Sequence, residues 1–330
     1  MSPTARRRVL ALLALAAGGL VAAAVWWLPG PRGGASSGAP LSLEWVGVEG
    51  CEGCHEAETD LWRGSHHDLA MAEATEETVL GDFADAEFTY AGVTSRFFRH
   101  DGGFYVRTDG PDGVLTDFEI DYVFGFTPLQ QYLVPLPDGR YQALGIGWDS
   151  RPAEDGGQRW FHLYPGESVD HEDVLHWTKL SQSWDSQCAE CHSTNLQKNY
   201  RWPEDRFATT FAEIDVSCEA CHGPGSRHVT WAKEAEAEGR EPEGDPGLVV
   251  RFDERRNRSW KMDMERGIAI PKEAADFRVE NEMCGRCHAR RGLLTEDYLP
   301  GQLLSQTHRP ALLDEGLYFA DGQMEDEVYD

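Results

Sequence analysis

"SCEACHGPGSRH", residues 217–228, carries two cysteines three positions apart, a histidine directly after the second, and another histidine six residues on. Four chemistries use such a stretch: zinc ligation, a disulfide, a redox dithiol, or covalent attachment of haem. The remaining cysteines separate them. All eight fall into four pairs, Cys51/Cys54, Cys188/Cys191, Cys218/Cys221 and Cys284/Cys287. Each pair is C-x-x-C, and each is followed at once by histidine: His55, His192, His222 and His288. A disulfide between such near neighbours would staple little and needs no histidine beside it. Tetrahedral zinc leaves the regular histidine unexplained, and a thioredoxin-like dithiol would come once, beside a βαβ unit. With histidine at 12 of 330 residues, four chance repeats have a probability on the order of 10⁻⁶. C-x-x-C-H is the attachment motif of c-type haem. Two thiols reach the two vinyl groups of one porphyrin edge, and the next imidazole turns under the ring to ligate iron. The expected cofactor is therefore haem c, four copies, covalently attached.

Eight histidines remain for the opposite side of each iron: His66, His67, His100, His162, His171, His176, His228 and His308. In "LWRGSHHDLAMAEATEETV", Ser65 with Asp68 three residues on is a helix-start pattern. His67 and Met71 would share a face there, four apart, so one of them is a candidate ligand, whereas His66 points elsewhere. In "DHEDVLHWTKL", His176 precedes Trp177, an apolar neighbour suited to a haem edge. The run from His171 to His176 is one residue too long for a zincin motif. The Gly-Pro-Gly turn after His222 sends the chain back, which allows His228 to stand near a haem, its own or a neighbouring one. His308 lies before Pro310, where local structure ends. His67, His176, His228 and His308 are the expected distal ligands. His100 sits at "RHDGG", an expected exposed hairpin tip, and His162 is an alternative ligand.

The chain is acidic, with 57 acidic against 30 basic residues and a formal charge of −27. Nucleic-acid binding would need a basic footprint, so that class is excluded. The acidity gives a well-solvated surface, or a face that attracts basic redox partners. Arg6, Arg7 and Arg8 precede an apolar run, Val9–Leu28, with Trp26 and Trp27 at its end. About 20 apolar residues can cross a bilayer, with the arginines on the cytoplasmic side. The expectation is an N-terminal membrane anchor on the periplasmic side of the bacterial inner membrane, or a cleaved signal peptide. Residues 29–40, rich in Gly, Pro and Ser, read as a linker.

Between motifs 1 and 2, "EFTYAGVTSRFFRHDGGFYVRTDGPDGVLTDFEIDYVFGF" alternates aromatic or β-branched residues with polar ones, the period of half-buried strands. Asp101-Gly102, Asp112-Gly113 and Asp138-Gly139 are turn signals. Phe124, Phe126 and Tyr132 could reach a haem or serve as sheet core. The expected organisation is a haem 1 segment at 41–83, an antiparallel insertion at 84–164, a haem 2–4 segment at 165–312, and an acidic tail at 313–330. Motifs 2 and 3 start only 30 residues apart, which keeps them near each other. Motifs 3 and 4 are 66 apart, linked through the charged "AKEAEAEGREPEGD". No P-loop or dinucleotide fingerprint is present. The fold class expected is α+β with low regular secondary structure: short helices around the haems and a small antiparallel sheet.

"SCEACHGPGSRH", "HWTKLSQSWDSQCAECHSTNL" and "MCGRCHARR" resemble multihaem cytochromes c related to the cytochrome c-554 family, over about Trp45 to Pro310. "CHGPG" with a later histidine, and Trp62, Ser65 and His67 after motif 1, carry more of that likeness than the motif cores. The resemblance implies that the four C-x-x-C-H triplets hold haems 1 to 4 and supports His67 and His228 as distal ligands, with His176 and His308 at positions where relatives often place a histidine. The β insertion departs from the small tetrahaem pattern and looks like larger membrane-linked multihaem proteins. The ending "GLYFADGQMEDEVYD" fits a shortened version of such a chain. The function implied is electron transfer through bis-His haems, from a quinol-oxidising membrane complex or another cytochrome to an acceptor. The alternative is an oxidoreductase with one open haem acting on a small nitrogen or sulfur compound, its vacancy ringed by Arg227 with His228, or by Arg286, Arg290 and Arg291.

Overall fold

The computed structural model describes residues 43–241, 243–253, 256–273, 278–312, 316–320 and 324. The anchor at 1–28, the linker at 29–40 and most of the tail at 313–330 lie outside the described residues. Among the described residues no helix is long and apolar enough to cross a membrane.

Strand-forming sequence in the middle of the chain gives two antiparallel sheets where one was expected. The first is a four-stranded meander: β2 (Ala86–Tyr90), β3 (Val93–His100), β4 (Gly103–Asp109) and β5 (Leu115–Ile120), paired in chain order. Its side chains alternate as the pleat requires. Phe97, Phe104 and Val106 point into the core at 0–1% exposure, while Arg107 points outward onto Asp117. Asp101 and Gly102 both take positive φ, 49° and 85°, the two-residue turn whose twist matches a hairpin. His100 accordingly sits at an exposed tip. Ala91-Gly92 makes the same turn between β2 and β3, although alanine gives no sequence signal for it.

The second sheet begins in the haem 1 segment. β1 (Met71–Glu73) pairs with β6 (Tyr122–Phe124), followed by β7 (Leu129–Pro135), β9 (Ile146–Asp149) and β10 (Arg159–His162); β8 (Tyr141–Ala143) pairs with β7. A local sequence reading cannot split the strands this way. β5 and β6 are separated by Asp121 alone, whose N–H bonds to Leu133 O of β7 and so turns the chain from one sheet to the other. The core lies between the sheets. Phe83 stands edge-on to Phe97, Phe104, Tyr132 and Trp160 at centroid distances of 5.1–5.6 Å, a favoured arrangement for aromatic quadrupoles. Tyr132 is wholly buried in this cluster.

Outside the sheets the helices are short: α1 (Glu49–Glu52), α2 (Glu56–Trp62), α3 (Trp184–Gln187), α4 (Ala189–His192), α5 (Cys218–His222), α6 (Ser226–Ala237) and α7 (Arg278–His288). Two hairpins complete the chain, β11 (Trp260–Asp263) with β12 (Ile268–Pro271), and β13 (Arg291–Leu293) with β14 (His308–Pro310). The protein is α+β with few helices, several small antiparallel sheets and little regular structure.

Candidate functional site

Each C-x-x-C-H motif lies on or against one turn of helix. Helical spacing puts residues i, i+3 and i+4 on one face, so two thiols and an imidazole present together. α5 holds motif 3, α7 ends with motif 4, α4 carries Cys191 and His192, and motif 1 bridges α1 and α2. Gly223 closes α5 at φ 78°, ψ 178°, a conformation open only to glycine. A Cβ there would also meet Val249 at 3.0 Å.

The four motifs cluster, and their spatial order differs from their chain order. No disulfide joins any of the eight cysteines. The Cys51 thiol of motif 1 is hydrogen-bonded to Cys218 of motif 3, which pushes the Cys51 thiol up and holds that of Cys218 down. The Cys191 thiol of motif 2 is hydrogen-bonded to Cys287 of motif 4. That contact, aided by the Arg286 and Arg291 guanidiniums, brings Cys287 down to about 7 against the opposing effect of burial. Cys221 of motif 3 lies within electrostatic reach of Cys284 and Cys287. The order in space is therefore 1–3–4–2. Motifs 2 and 3 meet through their flanks, where the Thr194 hydroxyl lies 3.3 Å from that of Ser217.

The histidines fall into two groups. In the first, a backbone carbonyl accepts from Nδ1: Ala70 O for His192, Val250 O for His222 and Pro246 O for His228, each at 2.9 Å. That bond fixes the proton on Nδ1 and turns a bare Nε2 lone pair outward, the arrangement of a metal-ligating imidazole. Burial lowers the pKa of His192 and keeps it neutral. Two motif histidines also pair with histidines outside the motifs. His55 and His228 have centroids 6.0 Å apart, and His67 and His288 6.2 Å. A ligating nitrogen stands about 2.0–2.1 Å from its metal and the ring centroid about 1.1 Å beyond, so two rings on opposite sides of one ion are about 6.2–6.4 Å apart. Burial, and then the neighbouring His288, lowers the pKa of His67.

His176 and His308 stand apart from these pairs. His176 lies 3.2 Å from Asp109 through Nε2 and 2.9 Å from the Thr178 hydroxyl through Nδ1. It faces a small cavity of about 40 Å³ in the β region, also lined by His162. His308, completely buried, bonds Glu190 through Nε2 and Thr307 through Nδ1, both at 2.9 Å. His162 stacks on Tyr90 at 4.1 Å, His171 packs against Gly113, and His66 is exposed. Phe124 meets His192 edge-on at 5.4 Å and Phe252 meets His222 at 5.2 Å, while Phe126 is exposed.

Charged residues inside the motifs tie them together; sequence reasoning named Arg286 among them but passed over Glu190 and Glu219. Glu190 and Arg286 occupy the x positions of motifs 2 and 4. Glu190 accepts from Arg286 Nε at 3.2 Å, from a terminal nitrogen of Arg291 at 2.9 Å, and from His308. Burial opposes its charge, but the His308 hydrogen bond and then Arg286 and Arg291 hold its carboxyl at about 2. Glu219, the x residue of motif 3, is 2% exposed. It accepts the N–H groups of Val46, Gly47 and Gly225 at 2.7–3.0 Å, docking the N-terminal segment onto α5. Glu213 accepts from Val48 N and from the Ser217 hydroxyl. Arg227 faces Asp245 at 3.9 Å.

Asp215 is pushed up to about 7 by burial, then by Glu213 and Asp68. From the model-peptide value of 3.8 to that point the folded chain binds the extra proton, so this group lowers stability as pH rises from about 4 to about 7. Asp215→Asn is expected to raise the melting temperature above pH 7 and to leave it nearly unchanged near pH 4. Thermal unfolding at the two pH values checks this.

Haem fits these residues. Among the described residues, buried side-chain polar atoms without a partner include the Ser183 hydroxyl and Trp184 Nε1 just before motif 2, Asp215 Oδ1 before motif 3, and Arg290 Nη1 just after motif 4. Buried polar groups ordinarily find partners, and the carboxylates of a bound porphyrin would complement the donors among these. The comparisons agree. Residues 164–223, which hold motifs 2 and 3, match the family model described as cytochrome c554 and c-prime. The fold is similar to the crystal structure of the outer cell wall cytochrome OcwA, with a TM-score of 0.50 and 19% sequence identity over 86% of this chain and 49% of that one. The chain thus spans about half the length of that solved chain. A search of curated proteins finds no match.

Proposed function

We propose that this chain, a multihaem c-type cytochrome related to the cytochrome c-554 family, is an exported four-haem electron carrier in which bis-His ligation would leave the motif 1 and motif 4 irons no substrate position. The observation that carries this reading is the pairing of His55 with His228 and of His67 with His288 at 6.0 and 6.2 Å. When bound, haem supplies one-electron redox chemistry and the chain supplies its ligands and surroundings. Cys51, Cys54, Cys188, Cys191, Cys218, Cys221, Cys284 and Cys287 would hold the porphyrins. His55, His192, His222 and His288 are the proximal ligands. His228 serves motif 1 and His67 serves motif 4, so each ligand set joins segments far apart in the chain. His176 and His308 serve as hydrogen-bonding residues, with both ring nitrogens engaged. The acidic surface would favour basic redox partner proteins. Export is supported by the chemistry of haem c attachment and by the outer cell wall setting named for OcwA.

One observation favours a second reading. Among the described residues no histidine ring lies against His192 or His222; the rings that meet them are those of Phe124 and Phe252. A haem on either turn could keep an open side for a small nitrogen or sulfur compound.

Low-temperature EPR with visible spectroscopy and haem quantitation tests both readings. The carrier predicts four haems per chain, with the motif 1 and motif 4 haems low-spin and no haem that responds to nitrite or hydroxylamine. In His228→Ala and His67→Ala one haem each is expected to become high-spin, with the haem count unchanged. A high-spin signal in the unsubstituted protein that responds to nitrite or hydroxylamine would establish the second reading. Fewer than four haems per chain would overturn the assignment of the motifs.

A further inference from the structure

We infer that the chain polarises its row of attachment turns electrostatically, Glu213 and Glu219 holding the motif 1/motif 3 end negative and Arg286, Arg290 and Arg291 holding the motif 2/motif 4 end positive, so that electrons run from the first end to the second. The inference rests on the reading that all four motifs carry haem.

The two ends are defined by the thiol contacts, Cys51 with Cys218 at one end and Cys191 with Cys287 at the other. At the first end the groups acting on both thiols are Glu213 and Glu219. Every contact described for Glu219 is one in which its oxygens accept, from three backbone N–H groups. Two ordered carboxylate oxygens that only accept belong to an ionised side chain. Gly225, the last donor, leads into α6, so the carboxylate also sits at a helix N-terminus that favours its charge. Asp215, which holds its proton up to about 7, adds no full charge below that point, and the nearby Arg63 is taken up by Glu52.

At the second end, Arg286 and Arg291 act on Cys287 in opposition to Glu190. Arg290 follows His288 by two residues and has a buried Nη1 without a partner. Glu282, which accepts the Leu304 N–H, offsets one positive charge. Arg286 and Arg291 both contact Glu190, while Arg290 adds a third guanidinium beside motif 4. Cys221, the thiol of motif 3 nearest the second end, also lies within reach of Arg286, so the field changes sign along the row.

Adding an electron to an iron beside carboxylates is disfavoured and beside guanidiniums favoured. A unit charge about 10 Å away at an effective dielectric constant of about 20 shifts a one-electron equilibrium by at least about tenfold, or about 59 mV. With haem bound, the motif 1 and motif 3 irons would be the lower-potential pair. Internal transfer would oxidise one of them and reduce one of the motif 4 and motif 2 irons, with no atom gained or lost.

The test is a spectroelectrochemical titration of the haem-loaded full chain, with haem counted per chain by mass. Glu219→Gln is expected to raise the two lower potentials, by an amount equivalent to about tenfold in the reduction equilibrium, and to leave the upper two in place. Arg290→Gln, which removes a charge with no described acid partner, is expected to lower the upper two. Glu213→Gln repeats the first measurement if Glu219→Gln loosens the N-terminal segment. Four bound haems with unshifted potentials, or shifts in the opposite pair, would overturn the inference alone. Fewer than four haems in the unsubstituted chain would overturn the haem reading beneath it.

Discussion

Glu190→Ala is expected to destabilise the protein by about 3–5 kcal/mol, because it removes the acid from a buried ionic cluster and leaves its cations behind. Arg286 and Arg291 have side chains 9% and 1% exposed, and each contacts a Glu190 oxygen. His308, at 0%, loses its Nε2 partner as well. The damage should be regional, since this one carboxylate joins α4 of motif 2 to α7 of motif 4 and to β14. Denaturant unfolding of the haem-loaded chain, followed in the far-UV and at the Soret band, measures it. The exposed pair Arg107–Asp117 provides the contrast: Arg107→Gln should leave the unfolding midpoint nearly unchanged, because a solvated ion pair contributes little. Equal losses in the two variants would show that the buried cluster contributes no more than a surface pair. The depressed pKa of Glu190 gives a pH signature. The stability it contributes is present above the ordinary glutamate value of 4.5 and is lost as pH falls toward about 2.

Phe97→Ala should cost a similar 3–5 kcal/mol for a different reason: a large buried ring is removed and a cavity remains. Phe97 is 0% exposed. It lies parallel to Trp160 with centroids 3.6 Å apart and meets Phe83 edge-on at 5.6 Å. β3 and β10 belong to different sheets, so the substitution loosens the joint between them. Tryptophan fluorescence should report early exposure of Trp160 on denaturation, while the haem count stays at that of the unsubstituted chain. A fall in haem count would place the β region under the attachment turns instead.

Chemistry was legible where it is local. C-x-x-C-H is a single helical turn, so its meaning is complete within five residues, and four repeats using every cysteine leave little room for another reading. The alternation in residues 87–126 marked strands for the same reason, since the side-chain period follows from the pleat. Ligand assignment was only partly legible. Histidine identity is visible, but whether a ring nitrogen is free depends on what the fold sets beside it. His176 and His308 have motif-like neighbours in sequence, yet Asp109 and Glu190, 67 and 118 residues away, take up a nitrogen of each. The charged x residues were also in plain view as Glu190, Glu219 and Arg286. Nothing local tells a solvated x position from a buried one.

Attachment chemistry, strand periodicity and surface acidity thus belong to the sequence, because each arises from covalent neighbours or from summed composition. Tertiary structure alone decided the 1–3–4–2 order of the motifs and the pairing of His55 with His228 and of His67 with His288. Those features depend on segments far apart in the chain meeting, as when Glu219 gathers the N–H groups of Val46 and Gly47 from 173 and 172 residues away. Buried donors must find acceptors wherever the chain can bring them, and that requirement is satisfied only in three dimensions.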